Sequence, residues 1–259
     1  MGAPCESPST PGMRAPLSLA AGTEPSPPGG RIYTDGSYLD NTGGTWHLED
    51  SPFKASQVLR MLARHPEIRP DTICEIGCGA GGILHELQKA LPERITFTGY
   101  EISPQAHALS SRFSGPRCRY LLGDAFDDPS VYDLVLVMDV VEHVEDCFTF
   151  LRRAKQKGRW KLYQIPLETH LTAVVRGVNG RMWDSVGHIH LFTMETAVRT
   201  LEHTGNRVLD WILTPGMLAK PRKAIRNHLA NLVRVPLAML SPKLAVRLVG
   251  GYSMLILAE

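Results

Sequence analysis

Thr72-Ile73-Cys74-Glu75-Ile76-Gly77-Cys78-Gly79-Ala80-Gly81-Gly82 is an apolar run that breaks into glycine and then opens an amphipathic stretch over 83–91. The short apolar run suits a strand, and the periodic residues after it suit a helix. Glycine is needed where the backbone turns sharply and lies against a ligand, because a Cβ would fill the ligand's space. Taken alone, the motif fits any nucleotide-binding βαβ unit, or a tight turn with no ligand.

Outward from this unit the same rhythm repeats. Short apolar runs at 95–100, 119–122, 134–138 and 162–165 alternate with amphipathic stretches at 105–113 and 147–154. Such alternation predicts an α/β fold, a doubly wound parallel sheet with helices on both faces. Upstream, Ser51 followed by Pro52 reads as an N-cap with proline at the first helical position, and Phe53, Val58, Leu59 and Leu62 carry a helix towards His65-Pro66. Residues 31–49 set Tyr33, Tyr38, Trp46 and His47 among glycines, and this cap is expected to fold over something. Residues 1–30 hold seven prolines among Ser, Thr and Gly, and are expected to be a disordered tail. Residues 166–187 are polar and aromatic and read as an irregular insertion.

A chain of 259 residues with 43% hydrophobic and 21% charged residues can bury a full core. Its formal charge of +2 is too mild for a polyanion binder, so no nucleic-acid partner is expected. The five cysteines, Cys5, Cys74, Cys78, Cys118 and Cys147, form neither a CxxC pair nor a zinc-ligand spacing. They read as small packing residues of a cytoplasmic protein. No run approaches transmembrane length. Residues 211–258 contain no acid, yet carry Lys220, Arg222, Lys223, Arg226, Arg234, Lys243 and Arg247 between leucines and valines. This stretch reads as an amphipathic helical cover between the sixth and seventh strands, or as a contact of 220–248 with a membrane surface or an anionic ligand.

Three acids sharpen the glycine motif. Glu75, Glu101 and Asp124 each end a predicted strand, which is where open α/β sheets bind ligands. Glu101 lies 24 residues after Gly77, close to the spacing at which a carboxylate accepts from both ribose hydroxyls. Asp124 can accept from an adenine amino group, with Phe126 against the ring. A dinucleotide wants a free helix N-terminus for its pyrophosphate. Glu75 at that mouth disfavours a phosphate and favours a cation.

This arrangement resembles the class I S-adenosylmethionine-dependent methyltransferases over 72–165. In that family an acid precedes GxGxG, matched by Glu75, Gly77, Gly79 and Gly81, and the later acids match Glu101 and Asp124. The segment after the fourth strand matches Asp139-Val140-Val141-Glu142-His143-Val144. The resemblance implies a Rossmann-like, seven-stranded, mostly parallel sheet whose last strand, 252–258, inserts antiparallel. The methyltransferase domain would span 67–259 behind a cap and helix at 31–66, with insertions at about 166–190 and 214–250. The expected cofactor set is Glu75, Gly77, Gly79, Gly81, Glu101 with Ile102, Asp124 with Ala125, Asp139, and Trp46 closing over the methionine end.

Methyl transfer from a sulfonium is an in-line displacement, and a hydroxyl acceptor must also lose its proton to a base or a metal-activated site. Asp139, Glu142 and His143 would share one face if the chain turns helically after the fourth strand, either as a base, as oxygen ligands from Asp139 and Glu142 to Mg²⁺, or as a helix cap. His188 and His190 alternate as an extended chain would, putting both imidazoles on one side ahead of a helix capped by Thr193. His143, Glu142, His188 and His190 are therefore the expected catalytic residues. The function expected is O-methylation of a small molecule, a sugar or other polyhydroxylated metabolite. Methylation of nitrogen or carbon in a natural product or lipid precursor is the alternative. From other classes, an NAD-dependent oxidoreductase or epimerase and a non-catalytic cofactor-binding protein remain open.

Overall fold

The computed structural model describes residues 33, 35, 37–215 and 236–259. The expected tail at 1–30 and the basic residues Lys220, Arg222, Lys223, Arg226 and Arg234 lie outside the described residues. Strands β1 (Thr72–Ile76), β2 (Thr96–Glu101), β3 (Cys118–Leu122), β4 (Tyr132–Met138), β5 (Gly158–Leu167), β6 (Val208–Thr214) and β7 (Tyr252–Ala258) form one sheet in the order β3-β2-β1-β4-β5-β7-β6. Neighbours from β3 through β5 pair parallel, and β7 lies antiparallel between β5 and β6. This is the expected Rossmann-like sheet with its antiparallel last strand.

The residues of β4 show why the sheet is covered twice. Leu134, Leu136 and Met138 pack with Val58, Met61, Leu84 and Leu87, whereas Val135 and Val137 pack with Leu151, Ala197 and Leu201 on the other face. A strand buried on both faces carries no polar alternation, which is the pattern of Leu134 to Met138. Each such side chain contributes roughly 1.5–3 kcal/mol through burial. The first layer comes from helices α2 (Ser51–Arg64) and α3 (Gly82–Ala90), and the second from α5 (Cys147–Gln156) and α8 (Met194–His203).

Shorter helices complete the order: α1 (Ser37–Asn41), α4 (Pro104–Ser110), α6 (Leu171–Val175), α7 (Asn179–Val186) and α9 (Pro242–Val249). Two local expectations are corrected. Asp50, not Ser51, is the N-cap of α2, because a 3₁₀ turn over Leu48–Asp50 runs directly into it and makes Ser51 the first helical residue. Residues 166–187 are not irregular, since β5 continues to Leu167 and α6 and α7 follow. Thr193 does cap α8, its hydroxyl accepting from the Thr196 N–H. Among the described residues no helix is long and apolar enough to cross a membrane.

Candidate active site

β1 lies between β2 and β4, so the chain leaves its carboxyl end at the point where strand order reverses, and there a crevice must open. A cavity of about 810 Å³ occupies it, bounded by the glycine turn, the ends of β4 and β5, and the cap. Gly77 and Gly79 have φ of +72° and +53°, a left-handed conformation that a Cβ strains. A Cβ on Gly79 would also stand 2.9 Å from Trp46 Cδ1, so only glycine lets the indole lie against the turn. Tyr38 braces Trp46 edge-on at 4.8 Å between ring centres. The cap thus folds over the site, and Tyr38, Trp46 and His47 line the cavity.

Glu75, next to last in β1, has 1% of its surface exposed, and its Oε2 accepts no hydrogen bond among the described residues. Burial pushes its carboxyl up to about 8, against the opposing pull of Lys54. A buried carboxylate oxygen without a partner, facing a cavity beside a glycine turn, suits a cation. The ammonium or sulfonium of S-adenosylmethionine meets that requirement.

Glu101 sits at the end of β2, its carboxylate accepting from the Gly79 N–H and the Ser103 N–H, each at 2.8 Å. It braces the glycine turn from beneath, and burial raises its carboxyl. Asp124 follows β3 and accepts from the Phe126 N–H at 2.9 Å, while the Arg153 guanidinium covers the Phe126 ring at 4.3 Å. Ala125 is buried and Ile102 is exposed beside them. Of the expected cofactor residues, Glu75, Gly77, Gly79, Asp139 and Trp46 line the cavity. Glu101, Ile102, Asp124 and Ala125 lie on the adjacent strand ends, and Gly81 is the N-cap of α3 with φ of 77°.

After β4 the chain does not turn helically through Asp139, Glu142 and His143, although all three line the cavity. Asp139 has a left-handed φ of 57°, and only 141–143 form a 3₁₀ turn. Its carboxylate pairs with Lys54 at 2.7 Å and accepts from Gln164 Nε2 at 3.1 Å. One member of the expected oxygen pair for Mg²⁺ is thus paired with a lysine. Glu142 is fully buried, neither carboxylate oxygen accepts a hydrogen bond among the described residues, and burial followed by the charge of Asp139 holds its pKa well above the carboxylate range.

His143 turns Nδ1 towards the Gly187 carbonyl at 3.1 Å and the Tyr33 hydroxyl at 2.6 Å. A carbonyl can only accept, so the tautomer assigned from these partners carries hydrogen on Nδ1 and leaves Nε2 as an acceptor. Burial, then His188, lowers its pKa to about 4. His188 binds Glu168 Oε2 through Nδ1 at 2.7 Å, and its ring meets that of His143 at 4.7 Å. His190 parts company with it. Its Nε2 reaches the Val144 carbonyl at 2.8 Å, and it does not line the cavity, so the two imidazoles expected on one side serve different surroundings.

Sequence reasoning missed Lys54, Gln164 and Glu168. Glu168 could have been found, since it follows β5 much as Glu101 closes β2. Lys54 gave no signal, being one cation on an amphipathic helix. Cys74, Cys78, Cys118 and Cys147 are free and buried, and burial pushes the Cys118 thiol up to about 11, so they pack as small apolar groups.

Residues 47–210 match the family described as a methyltransferase domain. Among solved structures, the chain superposes on the magnesium protoporphyrin IX methyltransferase of Synechocystis with bound S-adenosylhomocysteine, at a TM-score of 0.54 and 15% identity over 80% of this chain and 82% of that one. A cyclopropane synthase of Mycobacterium tuberculosis gives 0.53 and 16% over 78% and 84%. A SAM-dependent methyltransferase of Archaeoglobus fulgidus gives 0.51 and 23% over 82% and 97%. These likenesses establish the fold. The match over 47–210, on a sheet whose carboxyl ends carry Glu75, the glycine turn and Glu101, makes the chain a member of the class I S-adenosylmethionine-dependent methyltransferases.

Proposed function

We propose that this enzyme methylates a hydroxyl oxygen of a small molecule, with a sugar or other polyhydroxylated metabolite as the acceptor class. The observation that carries the reading is the Glu168–His188 pair beside His143 in the cavity wall. A hydroxyl must lose a proton as it attacks, whereas many amines and activated carbons need not. An imidazole whose Nδ1–H is fixed by a carboxylate presents Nε2 as an acceptor, and His143 presents a second one.

S-adenosylmethionine supplies an electrophilic methyl on sulfur. The chain's own residues do the rest. Glu75 and the glycine turn hold the cationic end, and Trp46 and Tyr38 exclude water above it. The acceptor oxygen forms its bond to the methyl carbon as the carbon–sulfur bond breaks and its electron pair leaves on sulfur. The acceptor's proton passes to Nε2 of His188, whose Nδ1 is held by Glu168, with His143 beside it. Gln164, Asn179 and Ser253 line the remaining cavity and offer hydrogen bonds to further hydroxyls, which favours a polyhydroxylated acceptor.

The test is methyl transfer from isotopically labelled cofactor to a panel of sugars, polyols, phenols, amines and lipid precursors, with the methylated atom located by NMR. A methyl ether is expected. Transfer only to nitrogen or carbon would overturn the reading.

A further inference from the structure

Glu142, His143 and His188 each offer one donor atom, and the three atoms lie within 4.8 Å of one another. We propose that these side chains bind one divalent transition-metal ion of the zinc or iron(II) class, through the Nε2 atoms of His143 and His188 and a carboxylate oxygen of Glu142. The set replaces the Asp139 and Glu142 pair expected for magnesium. Two imidazoles and one carboxylate suit zinc, iron or manganese, whereas magnesium prefers oxygen and keeps its water.

Three observations point to an ion. Both oxygens of Glu142 are buried without a hydrogen-bond partner among the described residues, although an acid so placed is disfavoured unless a cation meets it. His143 has its Nδ1 occupied by Gly187 O and Tyr33 Oη, and Tyr33 in turn donates to Val186 O at 2.9 Å. His188 has its Nδ1 occupied by Glu168 at 2.7 Å. Histidine ligands characteristically give their second N–H to a carboxylate or carbonyl, which fixes the tautomer and leaves the other nitrogen basic. Here both do, one to each type of acceptor.

The backbone holds the cluster together. The Ile189 and His190 N–H groups both donate to Glu142 O, at 2.9 and 3.1 Å, which ties the His188 loop across the 3₁₀ turn carrying the other two ligands. Nε2 of His143 is 3.9 Å from Glu142 Oε1. Donors around a four-coordinate ion at bonds of about 2.1 Å stand roughly 3.4 Å apart, so small side-chain rotations close the set. All three residues line the cavity, which leaves the remaining coordination positions open to an acceptor. A bound divalent ion takes up the Nε2 atoms that would otherwise receive the acceptor's proton, and in their place lowers the pKa of an oxygen it holds. That catalytic use rests on the proposed oxygen methylation, whereas the site itself rests on the side chains alone.

The test measures metal uptake by the full chain, apart from turnover. Chelator-treated protein is titrated with Zn²⁺ by calorimetry and with Co²⁺ by visible absorption, and His203→Ala, an exposed histidine on α8, controls for adventitious binding. Wild type and His203→Ala are expected to take up one ion per chain with micromolar or tighter affinity. His188→Ala and Glu142→Gln should lose that ion. Glu168→Gln, which keeps the side-chain shape, should weaken binding about 10–100-fold, the usual effect of a partner behind a ligand. Circular dichroism and retained cofactor binding would show that each variant is folded. Absence of uptake in wild type, or uptake unchanged in folded His188→Ala and Glu142→Gln, would overturn the site. Uptake lost as expected, in a protein that methylates no hydroxyl, would support the metal site while refuting the oxygen reading alone.

Discussion

Lys54 of α2 and Asp139 at the end of β4 meet at 2.7 Å across the wall of the cavity, joining the cap side of the molecule to the sheet. Asp139 is held there in a left-handed conformation, with Gln164 as its second partner. Removing the cation leaves a partly buried carboxylate beside Glu75 and Glu142 with the Gln164 amide to support it. Both groups of the pair keep about a fifth to a quarter of their side-chain surface, so the loss falls below that of a dry ion pair. Lys54→Met should lower unfolding stability by about 2 kcal/mol in urea denaturation. Adding Asp139→Asn should return part of it. A single variant as stable as wild type would show that solvent screens the pair.

Trp46 covers the glycine turn and touches Gly79 and Tyr38, but anchors no strand. Trp46→Ala should weaken S-adenosylmethionine binding about tenfold, the equivalent of roughly 1.4 kcal/mol. Its melting temperature should stay close to wild type, because the core of the sheet is untouched. Calorimetry and thermal melts separate these effects. A large fall in melting temperature with unchanged cofactor affinity would make Trp46 a packing residue only.

Much of this was legible in the sequence because it is local. A strand entering Gly77, Gly79 and Gly81 has few other uses, and acids at strand ends mark ligand sites through topology. The bounds of β1 and β7 follow directly from their apolar runs. What could not be read are the relations set by a turn or by distance. Asp139, Glu142 and His143 look like one helical face, yet the left-handed Asp139 breaks it, and although aspartate adopts a positive φ more often than most residues, nothing in the sequence says that this one does. His188 and His190 share an extended alternation, but only the tertiary position of Glu168 and Val144 decides that one serves the cavity and the other a carbonyl. Lys54 pairs with a residue 85 positions away.

Lys161 in β5 is 2% exposed, and among the described residues its ammonium donates to the carbonyls of Gly158 and Arg159. Burial, then the charge of Lys155, lowers its pKa from 10.5 to about 8. The folded state therefore releases this proton more readily than the unfolded chain. The contribution to stability is unfavourable below pH 8, improves as pH rises, and vanishes as a penalty above about 10.5. Lys161→Met should stabilise the protein at pH 7 by about 1 kcal/mol, less than the full shift because two hydrogen bonds are also lost. The gain should shrink between pH 8 and 10, as followed by denaturation at several pH values. A destabilised variant at pH 7 would mean that the carbonyl bonds outweigh the buried charge.

Glu75 ties cofactor binding to pH. Burial raises its carboxyl from 4.5 to about 8, with Lys54 pulling the other way. In the cofactor-free protein a raised pKa contributes stability that is complete below pH 4.5 and is lost as pH rises to 8, since the unfolded chain ionises first. Binding reverses the preference. A cationic ligand needs the carboxylate, so binding below pH 8 must expel a proton, and affinity should fall about tenfold for each pH unit below that value. Calorimetry at pH 6.5 in two buffers of different ionisation enthalpy should register close to one proton released per cofactor bound. The amine of the cofactor also titrates near neutrality, but it does so equally in Glu75→Gln. The difference between the two proteins isolates the carboxyl. Glu75→Gln should bind weakly, with a shallower pH dependence, and its cofactor-free form should lose the fall in stability between pH 5 and 8. If wild type and Glu75→Gln showed the same pH slope and the same proton count, Glu75 would already be ionised in the free enzyme, and the cation would be recognised elsewhere.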